Sequence, residues 1–331
     1  MMGLFRKLFK FGFILIGGFA IYQIFWGIQQ LLSRDVHLTL ARHTNKGQAG
    51  TTLHETKEEA DYSREHIIED GIERIIYRPK QRRFETPIVM QHGMWHGAWT
   101  WDTWGPLLAS WGWEVHTHSL PGHSGSPEQT PIEECTLDYY LAFLKAEIDR
   151  HEHKPILLGH SMGGALAQWY LKYVGDLPAA VLVAPWPHEV IQSGETAYLI
   201  GADLMGMLLS LVTRRAEQCR NAQVAGHALL SSTSVITPEA LFKKLGPESL
   251  IVMLQQHPPF WFAPKVVNTP MLVLAGQGDT VVSLNALKQT AEHYHADFRS
   301  YAGAAHNLMM EKNHAEIAQD IHYWLVKVNI S

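Results

Sequence analysis

The residues with the plainest chemical potential are Gly159-His160-Ser161-Met162-Gly163-Gly164. An apolar run, Pro155-Ile156-Leu157-Leu158, leads into them, and a helix-like stretch beginning Ala165-Leu166-Ala167 follows. A serine between small residues, where a short buried strand turns into a helix, is the setting of a serine nucleophile. The glycines let both elements close on a strained backbone position. Ser161 would then project at the sheet's carboxyl edge beside the positive end of the helix; its competing role is a helix cap. A nucleophilic serine needs an orienting acid and a base, following it in chain order. Asp279 leaves the apolar run 271–274 in Gly276-Gln277-Gly278-Asp279-Thr280, and His306 ends the small-residue stretch Ala302-Gly303-Ala304-Ala305. Ser161, Asp279 and His306 thus supply nucleophile, orienter and base. The competing role of Asp279 is to cap a helix starting near Ser283.

Such chemistry also needs donors for a developing oxyanion. The loop Gln91-His92-Gly93-Met94-Trp95-His96-Gly97 ends an earlier apolar run. The backbone N–H groups of Met94 and Met162 are the expected donors. His92 is expected to tie this loop down rather than act as the base. Trp95 and His96 are expected to shape the substrate pocket, with plain loop packing as the alternative for His96. Ser124 and Ser126, in Leu120-Pro121-Gly122-His123-Ser124-Gly125-Ser126, launch no helix and are expected to be structural. His116 and His118, and His151-Glu152-His153, lack a third spaced ligand, so no metal is expected. The proposed steps require no cofactor.

The elements that must position these residues follow from hydropathy. Apolar runs at 87–90, 113–120, 155–158, 179–183 and 271–274 alternate with helix-like stretches at 137–148 and 161–174. That alternation predicts a mostly parallel sheet covered on both faces, with chemistry beyond the strands' carboxyl ends. Asp70-Gly71 predicts a hairpin between 66–69 and 72–77, and 298–301 the last strand. Residues 186–268 interrupt the alternation and are expected to form a helical cap. There Leu204, Met205, Leu208, Leu209 and Val212 recur at helical spacing. They are expected to pack the cap, and Met205 and Leu208 to line an apolar acyl pocket.

Residues 11–28 are almost wholly apolar, with Arg6, Lys7 and Lys10 ahead of them. Their length suits a single membrane-crossing helix, so residues 1–32 are expected to be an anchor. The upstream charges orient the catalytic domain outside the cytoplasm. Residues 33–64 are polar and read as a linker, and 65–331 as the globular domain that carries the site. With 46% apolar and 18% charged residues and a net charge of −5, the chain suits a globular protein rather than a nucleic-acid binder. Its two cysteines make no disulfide framework. Nothing here fixes an oligomeric state.

HGMWHG (92–97), LPGHSGS (120–126), GHSMGG (159–164), GQGDTV (276–281) and GAAH (303–306) together resemble the α/β-hydrolase superfamily over roughly residues 65–328. HGMWHGAWTW is similar to the opening loop of plant methyl esterases and hydroxynitrile lyases. The later region is closer to esterases and lysophospholipase-like serine hydrolases with a cap. SLPGHSGS lacks an aspartate frequent in that loop, and no lysine like that of the lyases follows Asp279. The resemblance implies hydrolysis of a small-molecule carboxylic ester through an acyl-serine, with an apolar acyl chain expected from the anchor and cap. An acyltransferase or thioesterase using the same triad is one alternative. A membrane-tethered binding protein without turnover is the other.

Overall fold

The computed structural model describes residues 22–23, 25–189, 204–217 and 219–328. Asp35 opens α1 (Val36–Ala41) by accepting the Leu38 N–H on its side chain, a capping interaction that satisfies an otherwise orphan donor. Asp70 and Gly71 take φ of 52° and 71° and join β2 (Tyr62–Glu69) to β3 (Ile72–Pro79). Positive φ at both turn residues matches the twist of antiparallel strands. β1 (Thr51–Glu58) pairs antiparallel outside β2.

The remaining strands are β4 (Ile88–Gln91), β5 (Val115–His118), β6 (Ile156–His160), β7 (Ala180–Val183), β8 (Met271–Gly276) and β9 (Asp297–Tyr301). Among the described residues, the nine strands lie in the order β1-β2-β3-β5-β4-β6-β7-β8-β9. β5 runs antiparallel to β3, and every pair from β5 to β9 is parallel. α2 (Trp104–Ser110), α3 (Leu137–Ile148) and α4 (Met162–Tyr173) connect the first parallel strands. Between β7 and β8 stand α5 (Leu204–Thr213), α6 (Ala222–Leu229), α7 (Pro238–Phe242) and α8 (Leu250–Gln255). The chain closes with α9 (Leu284–His293) and α10 (His314–Lys327).

β4, β6, β7 and β8 are buried at every position, which is why they read as continuous apolar runs. Their side chains divide by the period of two. Val89, Leu157, Leu182 and Val273 join Leu141 and Leu166 on one face. Met90, Leu158, Val181 and Leu272 join Trp104 and Trp324 on the other. Strand order reverses about β4, so the loops after β4 and β6 face one crevice at the sheet's carboxyl edge.

The amino-terminal expectation needs correcting. No helix among the described residues is long and apolar enough to cross a membrane, which overturns the single-pass anchor and the extracytoplasmic placement drawn from it. Residues 11–21 and 24 of the apolar run lie outside the described residues. In the described part, the Arg214 guanidinium stands 4.3 Å from the Trp26 ring, and Leu31 is buried while Tyr22 and Phe25 are exposed. Nor are residues 33–64 simply polar tether. Arg34 and Thr39 both bond the buried Asp138 carboxylate on α3. Asn45 Nδ2 donates to Asp70 O, and β1 widens the sheet.

Candidate active site

Ser161 leaves β6 at φ 53° and ψ −115°. A non-glycine residue in that region carries strain and persists only where its surroundings impose it. Here the surroundings are close backbones. A Cβ on Gly159 would lie 2.2 Å from Gly163 O, one on Gly163 2.3 Å from Gln91 O, and one on Gly164 2.5 Å from Pro185 Cβ. Ser161 occupies the N-cap position of α4 but makes no side-chain capping bond, so its hydroxyl is not spent on the helix.

β8 and β9 deliver the other two residues. Their register pairs Gly276 with Tyr301, so the loops carrying Asp279 and His306 emerge side by side. A Cβ on Gly276 would stand 2.3 Å from Ala305 O, which explains the small residues on both loops. Asp279 Oδ2 lies 2.8 Å from His306 Nδ1, in a pair whose side chains are 0% and 2% exposed. Asp279 Oδ1 accepts the N–H groups of Val281 and Val282. The carboxylate is therefore held on both oxygens. It does not cap α9, because Ser283 Oγ takes the Ala286 N–H there. An ionised carboxylate only accepts, so His306 Nδ1 carries the proton and Nε2 presents a lone pair.

The β4–β6 register pairs Gln91 with Gly159. Two residues farther on, a Cβ on Gly93 would meet Ser161 Cβ at 2.9 Å. The oxyanion loop thus lies directly against the serine. Among the described residues, no protein acceptor takes the N–H of Met94 or Met162. For Met162 this follows from its place in the first turn of α4.

Buried histidines surround this edge. His92 Nδ1 lies 2.8 Å from Gly93 O, and its Nε2 receives the Leu120 N–H at 3.0 Å. His160 Nε2 lies 3.3 Å from His306 O. Burial pushes both imidazoles well below their ordinary value, so each ring stays neutral. His123 differs: its Nε2 is 3.0 Å from Glu248 Oε2, and neither side chain is exposed. Burial alone would lower His123, but the Glu248 charge and hydrogen bond outweigh it and raise it above the ordinary value.

Other expected site residues are placed differently. Both nitrogens of His96 are used by the protein, Nδ1 within the loop at 2.6 Å from Met94 O and Nε2 across to the His306 loop at 3.1 Å from Asn307 Nδ2. With 1% exposure, it is built into the wall rather than offered to a ligand. Trp95 lines a cavity of about 280 Å³ with Ala216, Cys219, Phe242 and Leu245, and its Nε1 donates to Ala216 O. Met205 and Leu208 are 55% and 47% exposed on α5, so the expected acyl-pocket stripe is turned to the surface instead. Residues 190–203 of the expected cap lie outside the described residues. Ser126 Oγ donates to Ser119 O and accepts the Glu73 N–H, a structural use. Sequence patterns had no signal for Asn307 or Glu248, whose partners stand 211 and 125 residues away.

Comparison with known proteins places the fold. The description "Alpha/beta hydrolase family" matches residues 88–320. A pyrethroid hydrolase of Sphingobium wenxiniae is 31% identical over 118 residues, which is 33% of this chain and 42% of that protein. A pimeloyl-[acyl-carrier protein] methyl ester esterase of Aromatoleum aromaticum is 26% identical over 62% of this chain and 84% of its own length. Among solved structures, a thermophilic esterase from Thermogutta terrifontis superimposes with a TM-score of 0.60 at 18% identity, covering 85% of this chain and 99% of that one.

Proposed function

The chain belongs to the alpha/beta hydrolase family, and from that premise we propose that it hydrolyses carboxylic esters through an acyl-serine intermediate on Ser161. The observation that carries the proposal is the buried Asp279–His306 pair at 2.8 Å, on the same sheet edge as a serine held at positive φ. His306 Nε2 takes the Ser161 proton as Oγ attacks the ester carbonyl, then returns it to the leaving alcohol. Asp279 fixes the Nδ1–H tautomer and stabilises the imidazolium that forms. The Met94 and Met162 N–H groups receive the tetrahedral oxyanion, each donor contributing roughly 3–4 kcal/mol in such sites. Water deprotonated by His306 attacks the acyl-serine carbonyl, and the proton passes back to Ser161 as it leaves.

A relative named as a methyl ester esterase and another named as a hydrolase support this reaction class. The lipid-like acyl chain expected from the sequence rested on the membrane anchor and the apolar cap; the described residues leave Met205 and Leu208 exposed, and the esters of increasing chain length below test it. The test is fluorophosphonate labelling of wild type and Ser161→Ala, with p-nitrophenyl esters of increasing chain length alongside. Labelling and turnover should both vanish in the variant. Equal labelling of both proteins would move the nucleophile elsewhere, and a folded wild type that neither labels nor turns over would end the proposal.

A further inference from the structure

The Met94 donor sits in a loop without regular structure, next to Trp95 at φ 63°. Such a backbone needs external fixing. His96 provides it from within the loop, through Nδ1 and Met94 O. A carbonyl only accepts, so Nδ1 must carry a proton. Burial holds the ring down to about 4, so it is neutral in the working range and Nε2 has a lone pair. The group facing that lone pair must donate, which settles the Asn307 amide with its NH2 toward His96. The same NH2 also reaches Met310 Sδ. Asn307 immediately follows His306, and its own N–H is tied to Leu229 O.

We propose that Asn307 and His96 form a strut between the base loop and the oxyanion loop. Asn307 selects the Nδ1–H tautomer of His96, and that tautomer pins the Met94–Trp95 peptide on which the aim of the Met94 donor depends. The next peptide is held as well, Trp95 O accepting the Gly246 N–H at 2.7 Å, so the two peptide units on either side of Trp95 are each fixed. Asn307 and His96 are positioning residues and touch no substrate. The inference rests on the acyl-serine reading above.

The test combines ring ¹⁵N spectroscopy of ¹⁵N-histidine protein with steady-state kinetics on p-nitrophenyl acetate. His96→Gln identifies the His96 signals, and thermal melting verifies folding. Wild type should show His96 as a single neutral Nδ1–H tautomer. Asn307→Leu should give mixed tautomers, with kcat lower by roughly tenfold or more and KM nearly unchanged, as expected when donor alignment rather than binding is lost. Asn307→Asp is nearly isosteric and covers the case in which the leucine variant does not fold. It presents only acceptors, and should force a second proton onto His96 with a similar loss of kcat. An unchanged His96 tautomer in these folded variants, or a changed tautomer with unchanged kcat, would overturn the strut. Failure of wild type to label at Ser161 would instead sink the acyl-serine reading, while the ring spectra would still report on the Asn307–His96 contact.

Discussion

Two sets of histidines lie equally deep at the same sheet edge and are shifted in opposite directions. His92, His96 and His160 meet carbonyls, amide donors and one another, and burial pushes each of them down. His123, just as buried, meets the Glu248 carboxylate and is raised. Tyr140 and the Ser249 N–H complete the Glu248 oxygens. Depth alone therefore does not decide whether a histidine keeps its proton; a carboxylate within hydrogen-bond reach does. The neutral set makes a scaffold whose hydrogen bonds survive ordinary changes of pH. The His123–Glu248 pair joins the loop after β5 to the insertion through a buried charge.

The sharpest way to break this contrast is to remove the carboxylate from a pair. Asp279→Asn should lower kcat by about 10⁴-fold, since an amide can stabilise the wrong His306 tautomer and does not offset the imidazolium. Stopped-flow or steady-state ester kinetics would measure it, and a loss below tenfold would remove Asp279 from the triad. Next in size, Glu248→Ala should cost about 3–5 kcal/mol, because it strands His123 and the Tyr140 hydroxyl in the interior. Urea unfolding reads that directly.

The pH dependence should be smaller and has a definite sign. A raised folded value means the His123–Glu248 contribution is complete below about 6.5, the ordinary histidine value, and fades as pH rises through the raised value. The stability gap between wild type and Glu248→Gln should therefore narrow from pH 6 toward pH 9. A gap that stays constant over that window would mean His123 is neutral in the fold. Smallest of all should be Met94→Leu. Its side chain is buried at 4% exposure, and a volume-conserving exchange costs less than about 1.5 kcal/mol. Since the proposed donor is the backbone N–H, kcat should stay within about twofold. A large loss would mean the thioether, not the peptide, faces the reaction.

Much of the fold was legible because it is written in local pattern. Strands buried on both faces must be apolar throughout, so β4, β6, β7 and β8 announced themselves. Asp70-Gly71 encoded its turn through backbone preference alone. β1, with residues such as Glu55, Lys57 and Glu58 exposed on a sheet edge, carried no such pattern and read as linker. The α5 stripe misled for the converse reason: helical spacing of apolar residues predicts a face, but not what covers it.

The sequence by itself determined the strand order of events along the chain: which runs are buried, where the strained serine turn falls, and that an aspartate and a histidine follow it on small-residue loops. These are properties of neighbours within a few residues, where backbone preference and hydropathy act. Only the tertiary structure decided that Asp279 reaches His306 rather than capping α9, that His96 faces inward to Asn307, and that Glu248 meets His123 and raises its affinity for a proton. Each of those outcomes depends on a hydrogen bond between segments brought together by sheet register, and hydrogen bonds of that kind leave no periodicity in the chain.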